Sequence, residues 1–209
     1  MRILIVDDHA ILRAGLKRIL EDEFADAAVG EAGNVDEALR ALAADAWDVV
    51  VLDISMPGRS GLDFLPEIRR DYPAVKVIVL SSFGDQQFAV RSLREGASAF
   101  LTKERAAREL IDAIRTVVAG RRFVSAELAE QLAALVAADR PQCPHETLSS
   151  REFEVFRLIA GAKSVSEIGT ELGLSVKTVS TYRARVLEKM GMSSNAELMQ
   201  YAIRHGLVS

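Results

Sequence analysis

Val49 to Leu52 and Val77 to Leu80 are two runs without a single polar side chain. Successive strand residues point to opposite faces of a sheet, so a strand with no polar position must be covered on both. Parallel sheets with helices above and below meet that condition. The two runs belong to a series of five: Arg2 to Val6, Ala28 to Glu31, Asp48 to Leu52, Lys76 to Leu80 and Ala97 to Leu101. Helix-sized segments separate them. Five strands alternating with helices, joined by right-handed crossovers, predict an α/β domain with a doubly wound, five-stranded parallel sheet.

The alternation, flavodoxin-like in its expected strand order 2-1-3-4-5, stops near residue 122. Its last helix, from Glu104, carries Leu110, Ile111, Ile114, Val117 and Val118 at helical spacing, and Gly120 can end it. A helix is expected over 126–138. The following Asp139 to His145 holds two prolines and no apolar period, as a linker does. Residues 1–122 are thus one domain, and 123–146 a linker that includes a helix. Residues 147–209 read as a small all-α domain of four helices, over 150–160, 165–172, 176–190 and 196–205, with Gly173 and Gly206 as stops.

With 49% apolar and 27% charged residues, the chain has a globular balance. No apolar run approaches the roughly 18 residues of a membrane span. The opening MRILIVDD reaches paired carboxylates too early for a signal-peptide core, so a cytoplasmic protein without a membrane partner is expected. Cys143 is the only cysteine, which excludes an internal disulfide. Cys143 and His145 offer only two metal ligands, so Cys143 reads as a free surface thiol. Net charge is −4, yet residues 147–209 carry eight basic against six acidic side chains. That small excess carries no nucleic-acid claim by itself.

Strand one ends in Asp7 and Asp8, and strand three in Asp53. The expected strand order puts these ends side by side at the point where it reverses, the place where open parallel sheets bind ligands. Three clustered carboxylates repel and raise one another's pKa unless a cation offsets them. Magnesium, a hard cation that keeps several waters, suits two carboxylates, a backbone carbonyl and a phosphoryl oxygen. An aspartate beside it can accept a phosphoryl group. Ser81, ending strand four, and Lys103, following strand five, can reach the same phosphoryl oxygens.

Residues 165–190 have the form helix, glycine turn, helix. Ser175 is a good N-cap, and Val179, Tyr182, Val186 and Met190 form a buried stripe on the second helix. The opposite face carries Lys177, Thr181, Ala184 and Glu188, flanked by Ser180 and Arg185. Small, polar and basic side chains suit a major groove of double-stranded DNA, and the capped N-terminus favours phosphate. The candidate DNA-contacting set is Ser175, Lys177, Thr178, Ser180, Thr181, Ala184, Arg185 and Lys189.

Asp7-Asp8, Asp53 in LDISMPG, Ser81 in VIVLSS and Lys103 in AFLTK resemble the receiver domain of two-component response regulators. LSSREFEVFRLIA followed by EIGTELGLSVKTVSTYRARVLEKMG resembles the output domain of the NarL/FixJ (LuxR-type helix-turn-helix) regulators. The first resemblance implies that Asp53 is the phosphoacceptor, Asp8 a direct magnesium ligand, Asp7 a partly water-mediated one and the Ser55 carbonyl another. It also implies a switch in which Phe100 turns inward as Ser81 moves onto the phosphate. Phe in place of the common Tyr leaves packing but no phenol hydrogen bond. The second implies that 176–190 is the recognition helix and 196–205 the dimerisation helix. Many relatives carry Lys or Asn where this chain has Ser180, and some carry Lys at Ala184, so base preference is not carried over.

The expected protein is a response regulator rather than an enzyme. A sensor histidine kinase or small phosphodonor would phosphorylate Asp53 with Mg2+, and the phosphorylated or DNA-bound form would be a homodimer controlling transcription. The rivals are a phosphorylation-independent DNA-binding factor and a phosphatase or phosphotransferase on the same fold. Haloacid-dehalogenase-type phosphatases carry Asp-x-Asp after strand one, unlike the adjacent Asp7-Asp8 here.

Overall fold

β1 (Arg2–Val6), β2 (Ala28–Ala32), β3 (Val49–Asp53), β4 (Lys76–Ser81) and β5 (Ala99–Thr102) form one sheet in the order β2-β1-β3-β4-β5, all parallel. They are seen in a computed structural model that describes residues 1–82, 86–125, 128–130 and 143–208. The chain divides into two compact units, Met1–Ala138 and Asp139–Ser209. The expected helix over 126–138 lies outside the described residues except at 128–130, which are helical.

In the first unit the two all-apolar runs occupy the central strands, and every residue of β3 is buried. One face of the sheet presents Ile3, Ile5, Val49, Val51, Ile78 and Leu80. They pack against Leu16 and Leu20 of α1 (Ala10–Glu23) and Leu110, Ile114 and Val117 of α5 (Lys103–Val118). The alternate residues Leu4, Val50, Leu52, Val77 and Val79 are equally buried on the other face, on the side of α2 (Val35–Ala44), α3 (Gly61–Asp71) and α4 (Gln86–Arg94). Gly120, at φ 80°, ends α5 as expected.

The described part of the second unit begins at Cys143 with a 3-10 turn, Pro144–Thr147, across the expected boundary between linker and output domain. Four helices follow: α6 (Ser150–Ala160), α7 (Val165–Leu172), α8 (Val176–Met190) and α9 (Asn195–Arg204). Their starts are written locally. Ser149 and Ser164 each close a capping box with Glu152 and Glu167, and Ser175 and Ser194 accept the N–H three residues on. Gly173 and Gly191 end α7 and α8 in the left-handed conformation, at φ 62° and 65°. The α7–α8 turn is tight: a Cβ on Gly169 would stand 2.8 Å from the Leu174 carbonyl oxygen. Of the expected stripe on α8, Val179, Val186 and Met190 are buried and Tyr182 is half-buried.

Candidate functional site

Val6 pairs with Leu52, and Asp53 with Leu80, so Asp7, Asp53 and Ser81 fall in adjacent positions across the carboxyl edge of the sheet. Ser81 in turn pairs with Thr102, which puts Lys103 one residue beyond that edge. Asp7, Asp53 and Ser81 have no exposed surface. The Lys103 Nζ lies 2.8 Å from Asp7 Oδ2 and 2.7 Å from Asp53 Oδ2. The Ser55 N–H donates to Asp53 Oδ1 at 3.0 Å. Phe100 of β5 is buried.

Burial pushes the Asp53 carboxyl up to about 6; the neighbouring Lys103 opposes this and the Asp7 carboxylate reinforces it. For Lys103 burial acts downward, but Asp53 and Asp7 outweigh it and hold the ammonium above its ordinary range. The cluster is therefore short of positive charge even with Lys103 in place. Carboxylate oxygens of Asp7, Asp8 and Asp53 and a ring nitrogen of His9 lie within 4.8 Å of one another. Asp7 Oδ2 and Asp8 Oδ1 are buried, and each is approached by a single side chain, Lys103 at 2.8 Å and His9 at 2.9 Å. Buried anionic oxygens with spare acceptor capacity are what a hard divalent cation requires, so the donor set fits a metal.

Two residues of this site escape a reading by motif. His9 Nδ1 lies 3.1 Å from Asp7 Oδ1, 2.9 Å from Asp8 Oδ1 and 3.3 Å from Lys103 Nζ. Arg13 Nη1 of α1 donates to the Asp7 carbonyl at 2.5 Å and fixes the backbone that aims the carboxylate. The available signal for His9 was its place directly after Asp7-Asp8. For Arg13 there was only its place one helical turn further on.

Gly61 locks the opposite wall. Its N–H donates to the Ile54 carbonyl at 3.1 Å, and a Cβ there would stand 1.9 Å from the Asp53 carbonyl oxygen. Ser60 Oγ donates to the same Ile54 carbonyl at 2.9 Å. Beside the cluster, α1 and α5 border a largely apolar groove of about 530 Å3 lined by His9, Ile11, Leu12, Gly15, Ser82 and Lys103.

In the second unit, Ser175, Lys177, Ser180, Thr181, Ala184 and Arg185 are exposed on α8, and Thr178 is half-buried. The Ser180 and Thr181 hydroxyls donate back to the Val176 and Lys177 carbonyls. Lys189 is also exposed, but its Nζ is held 2.6 Å from Glu152 Oε2 of α6. That ion pair ties α8 to α6. Arg151 reaches Glu154 at 2.7 Å and the Leu172 carbonyl at 3.1 Å, joining α6 to the end of α7. Cys143 is half-buried rather than a surface thiol.

A five-stranded receiver sheet with an acidic edge and a helix-turn-helix in one chain define a response regulator. A family model of the response regulator receiver domain matches residues 3–115, and one of bacterial regulatory proteins, luxR family, matches residues 146–202. The chain belongs to the LuxR-type response regulators, DNA-binding regulators of transcription under the control of a receiver. It is 37% identical over 208 residues to the response regulator UvrY of Escherichia coli K12, covering 99% of this chain and 95% of that one. To the response regulator GacA of Pseudomonas protegens it is 38% identical over 208 residues, covering 100% and 98%. RcsB from Salmonella enterica serovar Typhimurium, solved bound to promoter rprA in the presence of phosphomimetic BeF3-, matches with a TM-score of 0.66 at 26% identity, over 96% of this chain and 97% of that one. No helix among the described residues is long and apolar enough to cross a membrane.

Proposed function

We propose that Asp53 accepts a phosphoryl group and that its phosphorylation controls DNA binding by α8. The observation that carries this reading is a fully buried carboxylate with Lys103 at 2.7 Å, beside two further aspartates at the switch point of the sheet. A carboxylate oxygen of Asp53 attacks phosphorus, an aspartyl phosphate forms, and the bond to the donor breaks. The donor is a histidine kinase or a small acyl phosphate, and the groove between α1 and α5 is where a kinase would approach. Asp7, Asp8, Asp53 and the Ser55 carbonyl would hold Mg2+, which supplies charge neutralisation as the phosphoryl group is transferred. Lys103 exchanges contacts with the two carboxylates for contacts with the phosphoryl oxygens. The Ser81 hydroxyl donates to another of them. The backbone after Ser81 follows, and Phe100 packs into the space it vacates. The chain takes up one phosphoryl group rather than turning over a substrate, and does so in the cytoplasm.

On the output side, Ser180, Thr181, Ala184 and Arg185 face the major groove. Ser175, Lys177 and Thr178 at the helix N-terminus lie toward phosphates, and Lys189 would join them only on leaving Glu152. Phosphorylated chains pair, and pairing raises the effective concentration of the second α8 at a two-fold related site. The deciding experiment is intact-mass analysis after incubation with acetyl phosphate and Mg2+, run beside size exclusion and DNA binding. One phosphoryl adduct per chain, absent from Asp53→Asn and accompanied by pairing and tighter DNA binding, is expected. An unmodified wild type, or an adduct that leaves DNA binding unchanged, rejects the switch.

A further inference from the structure

The 3-10 turn that opens the second unit brings together donors of a different kind from those of the receiver pocket. Cys143, His145 and Glu146 each place one ligand atom within 4.8 Å of the others. His145 is only 5% exposed. It is enclosed by rings: those of Tyr201 and His205 on and after α9 lie 5.5 and 5.7 Å away, and that of Phe153 on α6 lies 6.3 Å away. Its Nδ1 is 2.5 Å from the Tyr201 hydroxyl, which also bonds to the Cys143 thiol. A single phenol thus stands between a sulfur and an imidazole nitrogen. Cys143 is half-buried and Glu146 exposed, so one side of the cluster is open to solution.

Thiolate, imidazole and carboxylate together are a borderline-soft set that suits zinc-class ions and discriminates against magnesium. In tetrahedral zinc sites a sulfur and a nitrogen ligand stand about 3.5 Å apart, from metal–ligand lengths near 2.3 and 2.0 Å. Donors no more than 4.8 Å apart need to close by only about 1 Å to reach that spacing. All three sit within four consecutive residues, so closing the site orders little additional chain.

We propose that Cys143, His145 and Glu146 form a site for one divalent transition-metal ion of the zinc class, its fourth position held by water. Binding displaces the thiol proton of Cys143 and fixes the turn before α6 against Tyr201 of α9. Magnesium loading of the receiver does not compete, because its pocket offers oxygen donors and this one a thiolate. The site stands independently of the phosphoacceptor reading.

The test is a Co2+ titration of the full-length protein in saturating Mg2+, followed by absorbance. Cys143 is the only cysteine of the chain, so a thiolate-to-cobalt charge-transfer band reports this site and no other. The band should saturate at one equivalent, disappear on Zn2+ addition, persist in Asp53→Asn and be absent from Cys143→Ser. Glu146→Gln, at an exposed position, and His145→Gln should each weaken Co2+ binding at least about tenfold. No band at one equivalent means the cluster is held by hydrogen bonds alone and overturns the proposal. A band of unchanged affinity in both Glu146→Gln and His145→Gln means a lone thiol and overturns it as well.

Discussion

Asp53 is held where an ionised carboxylate is costly. Burial raises its pKa to about 6, so between pH 3.8 and 6 the folded state keeps a proton that the unfolded state has lost. Receiver stability therefore falls as pH rises through that window and levels off above it. Without Mg2+, Asp53→Asn should stabilise the receiver by about 1–3 kcal/mol at pH 7 and by little at pH 4. Urea unfolding followed by Trp47 fluorescence checks this, since Trp47 is the chain's only tryptophan and lies in the receiver. An equal effect at both pH values would mean that Asp53 is not strained by its charge. His145 works in the opposite sense. Burial, with His205 beside it, lowers its pKa to about 4, while an unfolded imidazole takes up its proton near 6.5. The metal-free second unit should thus lose stability as pH falls from 6.5 toward 4, and thermal unfolding of His145→Gln should lack that dependence.

Element ends, more than element middles, set the geometry of both sites. β3 delivers Asp53, and the return of the chain into α3 passes so close to it that only glycine fits at position 61. Gly61→Ala must move the Asp53 backbone. We expect phosphorylation by acetyl phosphate to slow at least about tenfold, because misplacements near 1 Å cost about a hundredfold where positioning carries the catalysis. Intact-mass time courses measure it. In the second unit, Gly169→Ala would drive a methyl group toward the Leu174 carbonyl at 2.8 Å. Overpacking of this kind costs about 1–3 kcal/mol, and lower thermal stability of that unit with weaker DNA binding is expected. Lys177→Ala leaves the helix intact and should reduce the salt dependence of DNA binding by about one phosphate contact. An unchanged slope would place Lys177 away from the backbone of the DNA.

At the scale of the whole chain, the proposed function joins phosphorylation at one unit to DNA contact at the other by mass action in a pair of chains. The phosphorylated protein should bind an operator with two half-sites at least about tenfold tighter than one with a single half-site. Asp53→Asn should show a smaller ratio, both being read by electrophoretic mobility shift. Much of this was open to a reader of the sequence. The all-apolar VVVL and VIVL could only be central strands, and Asp7-Asp8, Asp53, Ser81 and Lys103 follow or close β1, β3, β4 and β5, neighbours in the expected strand order, so pattern alone put them on one edge. Gly173, Ser175 and Gly206 marked the end of α7, the start of α8 and the stop after α9, because caps act through neighbours within four residues. Other features depend on chain segments far apart in sequence. His9 bridging Asp7, Asp8 and Lys103, and Lys189 turning to Glu152, are examples. So is Cys143, half-buried beside Tyr201, 58 positions later in the chain by their numbers. Sequence determined which residues could meet, through period, strand order and local caps. Which polar groups did meet, at what distance and how dry, was decided only by packing, because burial and ion-pair geometry are properties of the assembled neighbourhood.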